Sequence, residues 1–395
     1  MPKQVVLITN YFPYYLGEQF LETEIKYWTD LVVMPLNKGG AKRELQANIK
    51  LDDLFIENKP SKLKILSFIF YKQFYVELLC CKNFKDLKGL LISFLYFLHY
   101  KKYLEKYLQS NKGTEFVFYT FWYTDVTYAL QSLKRKYDFK LVTRVHRYDL
   151  YEFNYMPLRR HFLNNIDTIY TITDSAVQYL VDTYGFSKEI IKTSRLGVED
   201  FGIKNMPNDE HIFQIVSCSF LGKIKRIDKI IDAIACFSKM HKNIEIKWTH
   251  IGDGELRNYL EKYAKEKLNI SYNFLGNLKN TDVYEFYKNN KVDVFLNVSE
   301  SEGVPVSIME AMSCHIPVIA PNVGGIKDMI IDKHNGILMS SNPDIAEISN
   351  ALNNMEFFKA ETTRQNAYEI YHEKYNAKVN YTEFIKEIRE CKSSY

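Results

Sequence analysis

Apolar residues recur along the chain in short unbroken runs, and amphipathic stretches of helical period separate them. Residues 5–8 (Val-Val-Leu-Ile) form the first run, and a turn over 10–17 and a helical stretch over 18–28 follow it. Strands that are buried on both faces of a parallel sheet have this unbroken apolar pattern. We therefore predict a parallel sheet with helices on both faces. Further strands are predicted at 116–119, 140–145, 168–172, 191–194, 213–218, 244–251, 272–275, 292–298 and 316–320, and helices of the second half at 227–240, 255–267, 281–288, 305–313 and 326–331.

The alternation is interrupted between residues 197 and 207, where Gly197, Gly202 and Pro207 occur without an apolar period. Glycine and proline in such a stretch are typical of a turn or a linker. We predict a hinge here, which divides the chain into two doubly wound α/β domains facing a cleft. Ligands of such folds bind beyond the carboxyl ends of the strands, so we expect the functional site in that cleft.

Length and composition exclude several classes of protein. The 395 residues exceed one ordinary domain of about 150 residues and favour two domains. The 46% apolar and 25% charged residues exclude a disordered, a collagen-like or a coiled-coil chain. Six cysteines without a Cys-x-x-Cys spacing disfavour a zinc ribbon or a redox centre and indicate a reducing compartment. Neither a signal peptide nor an apolar run of about 18 residues occurs, so we expect a cytoplasmic protein.

Positive charge is concentrated in one part of the chain. The net charge is +4, and residues 59–112 alone carry 11 Lys against 3 acidic residues. A basic, aromatic, amphipathic stretch can lie on an anionic bilayer, which makes this segment a candidate for peripheral membrane binding. The alternative is a pair of ordinary helices with aromatic rings in the core and lysines in water. The aromatic residues concerned are Phe68, Phe70, Tyr71, Phe74, Tyr75, Phe94, Tyr96, Phe97 and Tyr100.

Several sequence motifs are absent, which narrows the chemistry. Neither Gly-x-Gly-x-x-Gly after a strand nor a P-loop occurs, which disfavours a nicotinamide cofactor and P-loop chemistry. A Gly-x-Ser-x-Gly elbow, an Asp-x-Asp pair and a His-Glu-x-x-His motif are absent as well. We therefore expect no cofactor and no metal site. Nucleic acid is not an expected partner, because no binding motif occurs and the pI of about 8.4 is low for one.

The most informative segment is 296–337. Pro305 stands where a helix should begin, in its preferred first position, and the N–H groups of a helix N-terminus can hold a phosphate. Gly303 allows a ligand to approach the backbone closely. Glu302 precedes the helix and Glu310 lies about two turns into it, so one carboxylate can bind a sugar and the other a ribose diol. Alternatively, Glu302 caps the helix and Glu310 is a solvated charge.

This segment resembles the retaining GT-B glycosyltransferases of family 4. The resemblance is carried by Glu302-Gly303-Val304-Pro305, by Glu310-Ala311-Met312 and by Gly324-Gly325, with the two glutamates separated by seven residues. Residues 221–228 look like the phosphate-binding turn of that family, 251–254 like its Gly-Asp-Gly turn and 274–277 like its base-binding turn. The resemblance implies an acceptor-binding Rossmann-like domain over 1–202 and a nucleotide-sugar-binding one over 203–372. It also implies that a C-terminal helix in 373–395 crosses back to the first domain.

The N-terminal half is similar to a bacterial polysaccharide-assembly subset of this family. The similar segments are 10–14 with 17–20, which look like the first glycine-bearing loop, then 119–125, and 144–151 with its histidine. One position departs from the family pattern, because Phe220 stands where members commonly carry an arginine ahead of the phosphate lysine. Either Arg226 supplies that charge, or Lys225 and backbone dipoles hold the phosphate alone.

The resemblance implies a retaining, metal-independent hexosyltransferase. It would move a sugar from a nucleotide-diphosphate donor to a glycan or lipid-linked acceptor in cell-surface polysaccharide synthesis. The basic segment 59–112 makes the inner face of the plasma membrane the candidate location. The implied catalytic residues are His146, Glu302 and Lys225. The implied donor-binding residues are Gly17, Lys225, Arg226, Asn277, Leu278, Glu302, Gly303, Val304, Pro305 and Glu310, and the implied acceptor-side residues are Arg144, Arg147 and Asp149.

Two other functions remain open at this point. A nucleotide-sugar epimerase of the same architecture would release free nucleotide without an acceptor. A non-catalytic sugar-nucleotide-binding subunit of an assembly complex is the other alternative, and Phe220 is the residue that raises it.

Overall fold

The computed structural model describes residues 3–14, 18, 20–60, 71–152, 165–209 and 211–390. The chain divides into two compact units. Unit 1 holds the residues up to Arg195 together with those from Tyr381 onward, and unit 2 holds Leu196–Asn380. Gly17, which was predicted to bind the donor, and the aromatic residues Phe68 and Phe70 lie outside the described residues.

Unit 1 is built on a parallel sheet of seven described strands in the order β3-β2-β1-β4-β5-β6-β7. The first strand shows why its sequence is an unbroken apolar run. Val6 and Ile8 face one buried cluster, and Val5 and Leu7 face another on the opposite side. Side chains alternate along a strand, so a sheet covered on both faces needs apolar residues at every position. The strands are β1 Lys3–Thr9, β2 Leu31–Pro35, β3 Ile49–Leu51, β4 Glu115–Thr120, β5 Lys140–Val145, β6 Thr168–Thr171 and β7 Ile191–Thr193.

Helices cover both faces of this sheet. The last helix of the chain begins in unit 2 and continues into unit 1, where Phe384 and Ile388 pack on the same face as Val5 and Trp28. The longest described helix, α4, is capped by Asn83, whose side chain accepts a hydrogen bond from the Asp86 N–H. The described helices of unit 1 are α1 Leu21–Ile25, α2 Leu54–Glu57, α3 Lys72–Cys80, α4 Phe84–Ser110, α5 Asp125–Leu133, α6 Asp174–Tyr184 and most of α14 Ala377–Glu390.

Unit 2 repeats the design with a parallel sheet of six described strands in the order β10-β9-β8-β11-β12-β13. Its helix α7 buries one apolar face, which includes Ile227, Ile231 and Ile234, against the sheet. The strands are β8 Ile212–Cys218, β9 Glu245–Ile251, β10 Ser271–Phe274, β11 Val294–Leu296, β12 Val318–Pro321 and β13 Gly336–Met339. The helices are α7 Ile227–Met240, α8 Arg257–Lys267, α9 Asn280–Asn289, α10 Val306–Ser313, α11 Ile345–Leu352, α12 Met355–Lys359 and α13 Glu361–Lys374.

The segment predicted as a hinge is fixed inside unit 2. A Cβ added to Gly197 would lie 2.6 Å from the Cα of Ala377, so glycine is required for the close approach of these two backbones. The Asn205 side chain donates to the backbone oxygens of Tyr287 and Asn290 at 2.6 and 2.7 Å. Gly197 and Asn205 of this stretch therefore serve local packing within unit 2.

Some elements differ from the sequence-based prediction. The strands β2, β3 and β13 were not predicted, and the helix predicted over 326–331 is a short 3-10 turn at Gly324–Asp328. Strand β13 begins at Gly336, where a Cβ would lie 2.1 Å from the backbone oxygen of Val318. Glycine, which is unfavourable in strands, is therefore required for this pairing. The described helices include none that is long and apolar enough to span a bilayer.

Candidate functional site

A tight turn follows the first strand of unit 2 and carries two basic residues. Strand β8 ends at Cys218, and the 3-10 turn Lys223–Lys225 leads into helix α7. Arg226 takes the left-handed conformation, with φ of 54°, at the junction of the turn with that helix. Leu221 is buried, and its backbone N–H donates to the backbone oxygen of Asp253 at 3.0 Å. The turn is therefore held against the neighbouring strand end, with Lys225 near its apex.

The structure brings Lys225 and Glu302 together. The Lys225 Nζ atom lies 2.6 Å from Oε1 of Glu302, and the Asn297 side chain donates to the same oxygen at 3.3 Å. The two residues follow β8 and β11, which are neighbouring parallel strands, so their carboxyl ends meet at one edge of the sheet. The backbone N–H of Glu300 donates to the Ile224 oxygen at 2.9 Å and fixes the two loops to each other. The lysine predicted to bind the phosphate and the glutamate predicted to bind the sugar thus form one ion pair.

Helix α10 begins directly after Glu302. Pro305 is its N-cap, one position earlier than predicted, and the helix starts at Val306. The first N–H groups of a helix carry partial positive charge and have no partners inside the helix. Gly324 packs so closely on this loop that an added Cβ would lie 1.9 Å from the backbone oxygen of Glu302, and its φ of 55° favours glycine. The Gly325 N–H donates to the Gly303 oxygen at 2.7 Å, which further fixes the loop.

Glu310 lies inside unit 2, on the buried side of α10. Its Oε1 atom accepts a short hydrogen bond from the Asn280 side chain at the start of α9. Burial raises the pKa of Glu310 from its ordinary value of 4.5 to about 7, and the bond from Asn280 opposes that change. The carboxyl group is therefore held near the balance between its neutral and charged forms. It is not the solvated helical charge that was the alternative interpretation.

The remaining predicted donor residues of unit 2 have other surroundings. Arg226 donates to the Asn342 side chain at 2.6 Å and is not part of the Lys225–Glu302 pair. Asn277 is exposed and Leu278 is half-buried, in the connection that leads to Asn280 and helix α9. Val304 is buried directly before Pro305. The connection is anchored through the Gly252 N–H, which donates to the Gly276 oxygen at 2.8 Å.

In unit 1 the predicted histidine lies in an aromatic cluster at the end of β5. The ring of His146 is 4.6 Å from both Phe121 and Trp122 and 5.5 Å from Phe20, measured between centroids. Neither ring nitrogen has a hydrogen-bond partner among the described residues. Burial, with a smaller contribution from the charge of Arg144, lowers the pKa of His146 well below 6.5. The ring is therefore a neutral imidazole, suited to hydrogen bonding and not to carrying a charge.

A carboxylate that the sequence analysis did not single out organises the same region. Glu18 accepts hydrogen bonds from the backbone N–H groups of Asn10, Tyr11 and Phe12 at 2.8–3.0 Å, and also from the indole N–H of Trp122. It therefore joins the loop after β1 to the loop after β4, and Trp122 in turn contacts the His146 ring. The only sequence signal was its place beside Gly17 in a loop that resembles a functional one.

The predicted acceptor-side residues differ in their burial and their partners. Arg144 is fully buried in the core of unit 1, where it pairs with Glu24 and stacks over the ring of Phe384 at 4.0 Å. This corrects its assignment, because a buried and ion-paired guanidinium is not available to an acceptor. Asp149 is also buried, and its oxygens accept from the N–H groups of His146 at 2.6 Å and of Tyr123 at 2.8 Å, so it fixes the loop that carries the histidine. Arg147 is half-buried beside them.

In each unit the described residues place a distinct set of polar side chains at the carboxyl ends of the strands. In unit 2 a lysine, a helix N-terminus and two carboxyl groups lie on two adjoining loops and one helix, a set that can bind a negatively charged group joined to hydroxyl groups. Among the residues described, no group of three or more His, Cys, Asp or Glu side chains is placed to hold a metal ion. Unit 1 holds a neutral imidazole within an aromatic cluster.

Comparison with known proteins agrees with this chemistry. Residues 199–387 match the family model described as glycosyl transferases group 1. An uncharacterized glycosyltransferase of Methanocaldococcus jannaschii is 35% identical over 139 residues, which cover 34% of this chain and 37% of that protein. The GalNAc-alpha-(1->4)-GalNAc-alpha-(1->3)-diNAcBac-PP-undecaprenol alpha-1,4-N-acetyl-D-galactosaminyltransferase of Campylobacter jejuni is 30% identical over 131 residues, 32% of this chain and 35% of that protein. The chain thus spans about a third of the length of these relatives.

Solved structures match over nearly the whole chain. The apo form of the lipopolysaccharide outer core galactosyltransferase WaaB superposes with a TM-score of 0.72 at 16% identity, covering 98% of this chain and 99% of that one. The Anabaena protein HepE in complex with UDP-glucose superposes with a TM-score of 0.64 at 16% identity, covering 99% and 100%. At this identity the likeness establishes the fold, and the predicted GT-B fold is confirmed.

Proposed function

We propose that this chain is a retaining glycosyltransferase of family 4 that takes a hexose from a nucleotide-diphosphate donor. The proposed acceptor is a glycan or a lipid-linked glycan in cell-surface polysaccharide synthesis. The observation that carries the proposal is the contact between Lys225 and Glu302 at the start of α10, in a segment that matches the group 1 family model. The names of the WaaB and Campylobacter proteins support the type of acceptor, and the UDP-glucose bound to HepE supports the type of donor.

The central chemical task is to stabilise a leaving diphosphate. When the bond between the anomeric carbon and the phosphate oxygen breaks, negative charge increases on that oxygen. The Lys225 ammonium and the N–H groups that open α10 are fixed positive groups beside the Glu302 loop. Lys225 pairs with Glu302 at 2.6 Å, so a bound diphosphate would share the lysine with this carboxylate. We assign Glu302 to the hydroxyl groups of the donor sugar, which can replace part of its contact with the lysine.

Glu310 and the connection before α9 are assigned to the nucleoside. The hydrogen bond from Asn280 orients the Glu310 carboxyl group, and Leu278 lies two residues before that asparagine. We propose that the carboxyl group accepts hydrogen bonds from the ribose hydroxyls and that the backbone of Asn277 and Leu278 contacts the base.

Retention of configuration follows from attack on the face that the phosphate leaves. The acceptor hydroxyl oxygen bonds to the anomeric carbon, the bond from that carbon to the phosphate oxygen breaks, and the acceptor proton passes to the departing phosphate. The proposal assigns no covalent enzyme intermediate. The neutral His146 is assigned to hydrogen bonding with a reacting sugar and not to an obligatory role as a base.

The proposal is tested by nucleotide release from a panel of nucleotide sugars, with and without glycan and lipid-linked acceptors. Lys225→Met should lower kcat/KM by about 10²–10³-fold, the range found when one stabilising donor is removed. Lys223→Met is the matched control, because this lysine is exposed in the same turn and should leave turnover near the wild-type value. Both variants should melt close to the wild type, so that the loss is not one of folding.

Each alternative function predicts a different result in this assay. Nucleotide release that needs no acceptor would indicate an epimerase, and donor binding without release would indicate a binding subunit. Full turnover by Lys225→Met would refute the site. Loss of turnover in EDTA would refute metal independence, and a product with the opposite anomeric configuration to the donor would refute retention.

A further inference from the structure

Helix α3 turns an apolar stripe toward solvent. Tyr75, Val76 and Leu79 lie three and four residues apart, on one face of the helix, and Lys72 is on the same face. The exposed fractions of these three apolar side chains are 49%, 40% and 86%. A helix that packs on a core normally turns such a stripe inward.

The opposite face of α3 already fulfils the packing role. Phe74 is buried, and its ring lies 5.3 Å from that of Phe94 on α4 in an edge-to-face contact. Tyr71, just before α3, also contacts Phe94, at 5.8 Å. The helix is therefore docked through one face, and the exposed stripe is a second apolar face.

The exposed apolar surface continues across the connection to α4. Phe84, the first residue of that helix, has 80% of its surface exposed and follows a connection of three residues, 81–83. Its place is fixed, because Asn83 caps the helix and the Lys82 N–H donates to the Asp86 carboxylate at 2.9 Å. We call Lys72, Tyr75, Val76, Leu79, Lys82, Phe84, Lys85 and Lys88 the α3–α4 tip.

The charges around these apolar side chains have one sign. Residues 71–92 carry four lysines, at 72, 82, 85 and 88, and all four are exposed. The two acidic residues of this stretch do not balance them at the surface, because Glu77 is buried and Asp86 is engaged at the N-terminus of α4. Exposed apolar side chains ringed by lysines are complementary to an anionic lipid surface, which offers both a hydrocarbon boundary and negative headgroups.

Four of the aromatic residues on which the sequence-based membrane prediction rested lie in the core, whereas Tyr75 stays exposed on α3. Phe74, Phe94, Phe97 and Tyr100 belong to the buried core of unit 1, as the alternative interpretation held. Exposure is concentrated instead at Leu79 and Phe84, two residues that the sequence pattern did not single out.

We propose that the α3–α4 tip is the docking surface of this protein for an anionic lipid bilayer. Leu79 and Phe84 enter the boundary between headgroups and acyl chains, and the four lysines contact the headgroups. This surface is separate from the residues assigned to donor chemistry, so the proposal stands or falls independently of the glycosyltransferase function.

The test is co-sedimentation of the full chain with vesicles. Vesicles of phosphatidylcholine and phosphatidylglycerol in equal parts should bind the protein, and vesicles of phosphatidylcholine alone should bind it much less. The double variant Leu79→Ser with Phe84→Ser should lower the partition coefficient by about tenfold or more, since two apolar side chains no longer enter the boundary. Lys85→Glu with Lys88→Glu should lower it by about fivefold or more per lysine and should weaken its dependence on salt.

Matched controls lie on unit 2. Met240→Ser removes another exposed apolar side chain and Lys265→Glu reverses another exposed lysine, and neither should change vesicle binding. An excess of soluble glycerol 3-phosphate should not displace the protein, because the proposed ligand is a surface and not a free headgroup.

Three outcomes would overturn the proposal. The first is vesicle binding that the tip variants leave unchanged. The second is displacement by soluble glycerol 3-phosphate, which would indicate a small-anion site. The third is a change in oligomeric state of the Leu79→Ser, Phe84→Ser variant in light scattering without an effect on vesicles, which would identify the tip as a contact between copies of this chain.

Discussion

Glu310→Gln should make the protein more stable while it lowers donor turnover. The carboxyl group is buried inside unit 2, and this burial raises its pKa from 4.5 to about 7. Because folding raises the pKa of this group, the protein has its full stability below about pH 4.5, where the carboxyl group is neutral in both states. Stability then falls as the pH rises to about 7 and the unfolded chain ionises first. Above about pH 7 the folded protein holds a charge that the unfolded chain keeps in water. Glutamine retains an oxygen that can accept from Asn280 and removes this penalty.

The size of the effect follows from the two pKa values. Their difference, multiplied by about 1.36 kcal/mol per pKa unit, corresponds to roughly 3 kcal/mol when the group is fully ionised in both states. At about pH 5 the folded group is neutral and only part of this penalty applies. We expect Glu310→Gln to have a larger free energy of unfolding than the wild type. This gain should be roughly 2–3 kcal/mol larger at about pH 8 than at about pH 5.

Urea denaturation at several pH values measures this difference. Glu266→Gln on α8 is the matched control, because Glu266 is exposed and water solvates its carboxylate in the folded and the unfolded chain alike. It should show no such widening between the two pH values. An equal gap at both pH values for Glu310→Gln would refute the reasoning, and so would a destabilised variant at about pH 8. Full donor turnover by Glu310→Gln would separately refute the assignment of this carboxylate to the nucleoside.

Two further substitutions test the supports of the site and of the core. Gly324→Ala should lower donor turnover and stability together, because the new Cβ would lie 1.9 Å from the backbone oxygen of Glu302 and displace that loop. In the control Gly89→Ala the new Cβ meets no atom within 4 Å, so urea denaturation should show a gain of up to about 1 kcal/mol in stability. Equal behaviour of the two variants would contradict the close contact. Glu24→Gln should cost about 3–5 kcal/mol of unfolding free energy, because it leaves the buried Arg144 guanidinium without a counter-charge. Glu22→Gln, at a half-exposed pair, should cost less than about 1 kcal/mol, and a similar loss at both positions would contradict a buried ion pair.

The sequence predicts unit 2 in more detail than unit 1. The turn at 221–228, the Glu302 loop and the start of α10 each carry a short local motif by which the sequence identifies them. Strand β3 was missed because only three residues form it, whereas β2, Leu31–Pro35, is an unbroken apolar run of the kind that predicts a buried strand. Arg144 was misassigned because a charged residue at the end of a buried strand has the same appearance in sequence whether it faces a ligand or a core ion pair. Only its contact with Glu24, 120 residues earlier, distinguishes the two cases.

The same physical difference explains why Glu18 escaped notice. Its carboxylate satisfies three backbone N–H groups nearby, but its link to Trp122 spans 104 residues of sequence. The carboxylate accepts from four N–H groups in all, so it links the described residues of the loop after β1 to the loop after β4. The His146 ring contacts Trp122, and its loop is fixed separately by Asp149. The neutral imidazole is therefore positioned by two carboxylates that never touch it, and its orientation depends on contacts between strands that no local motif records.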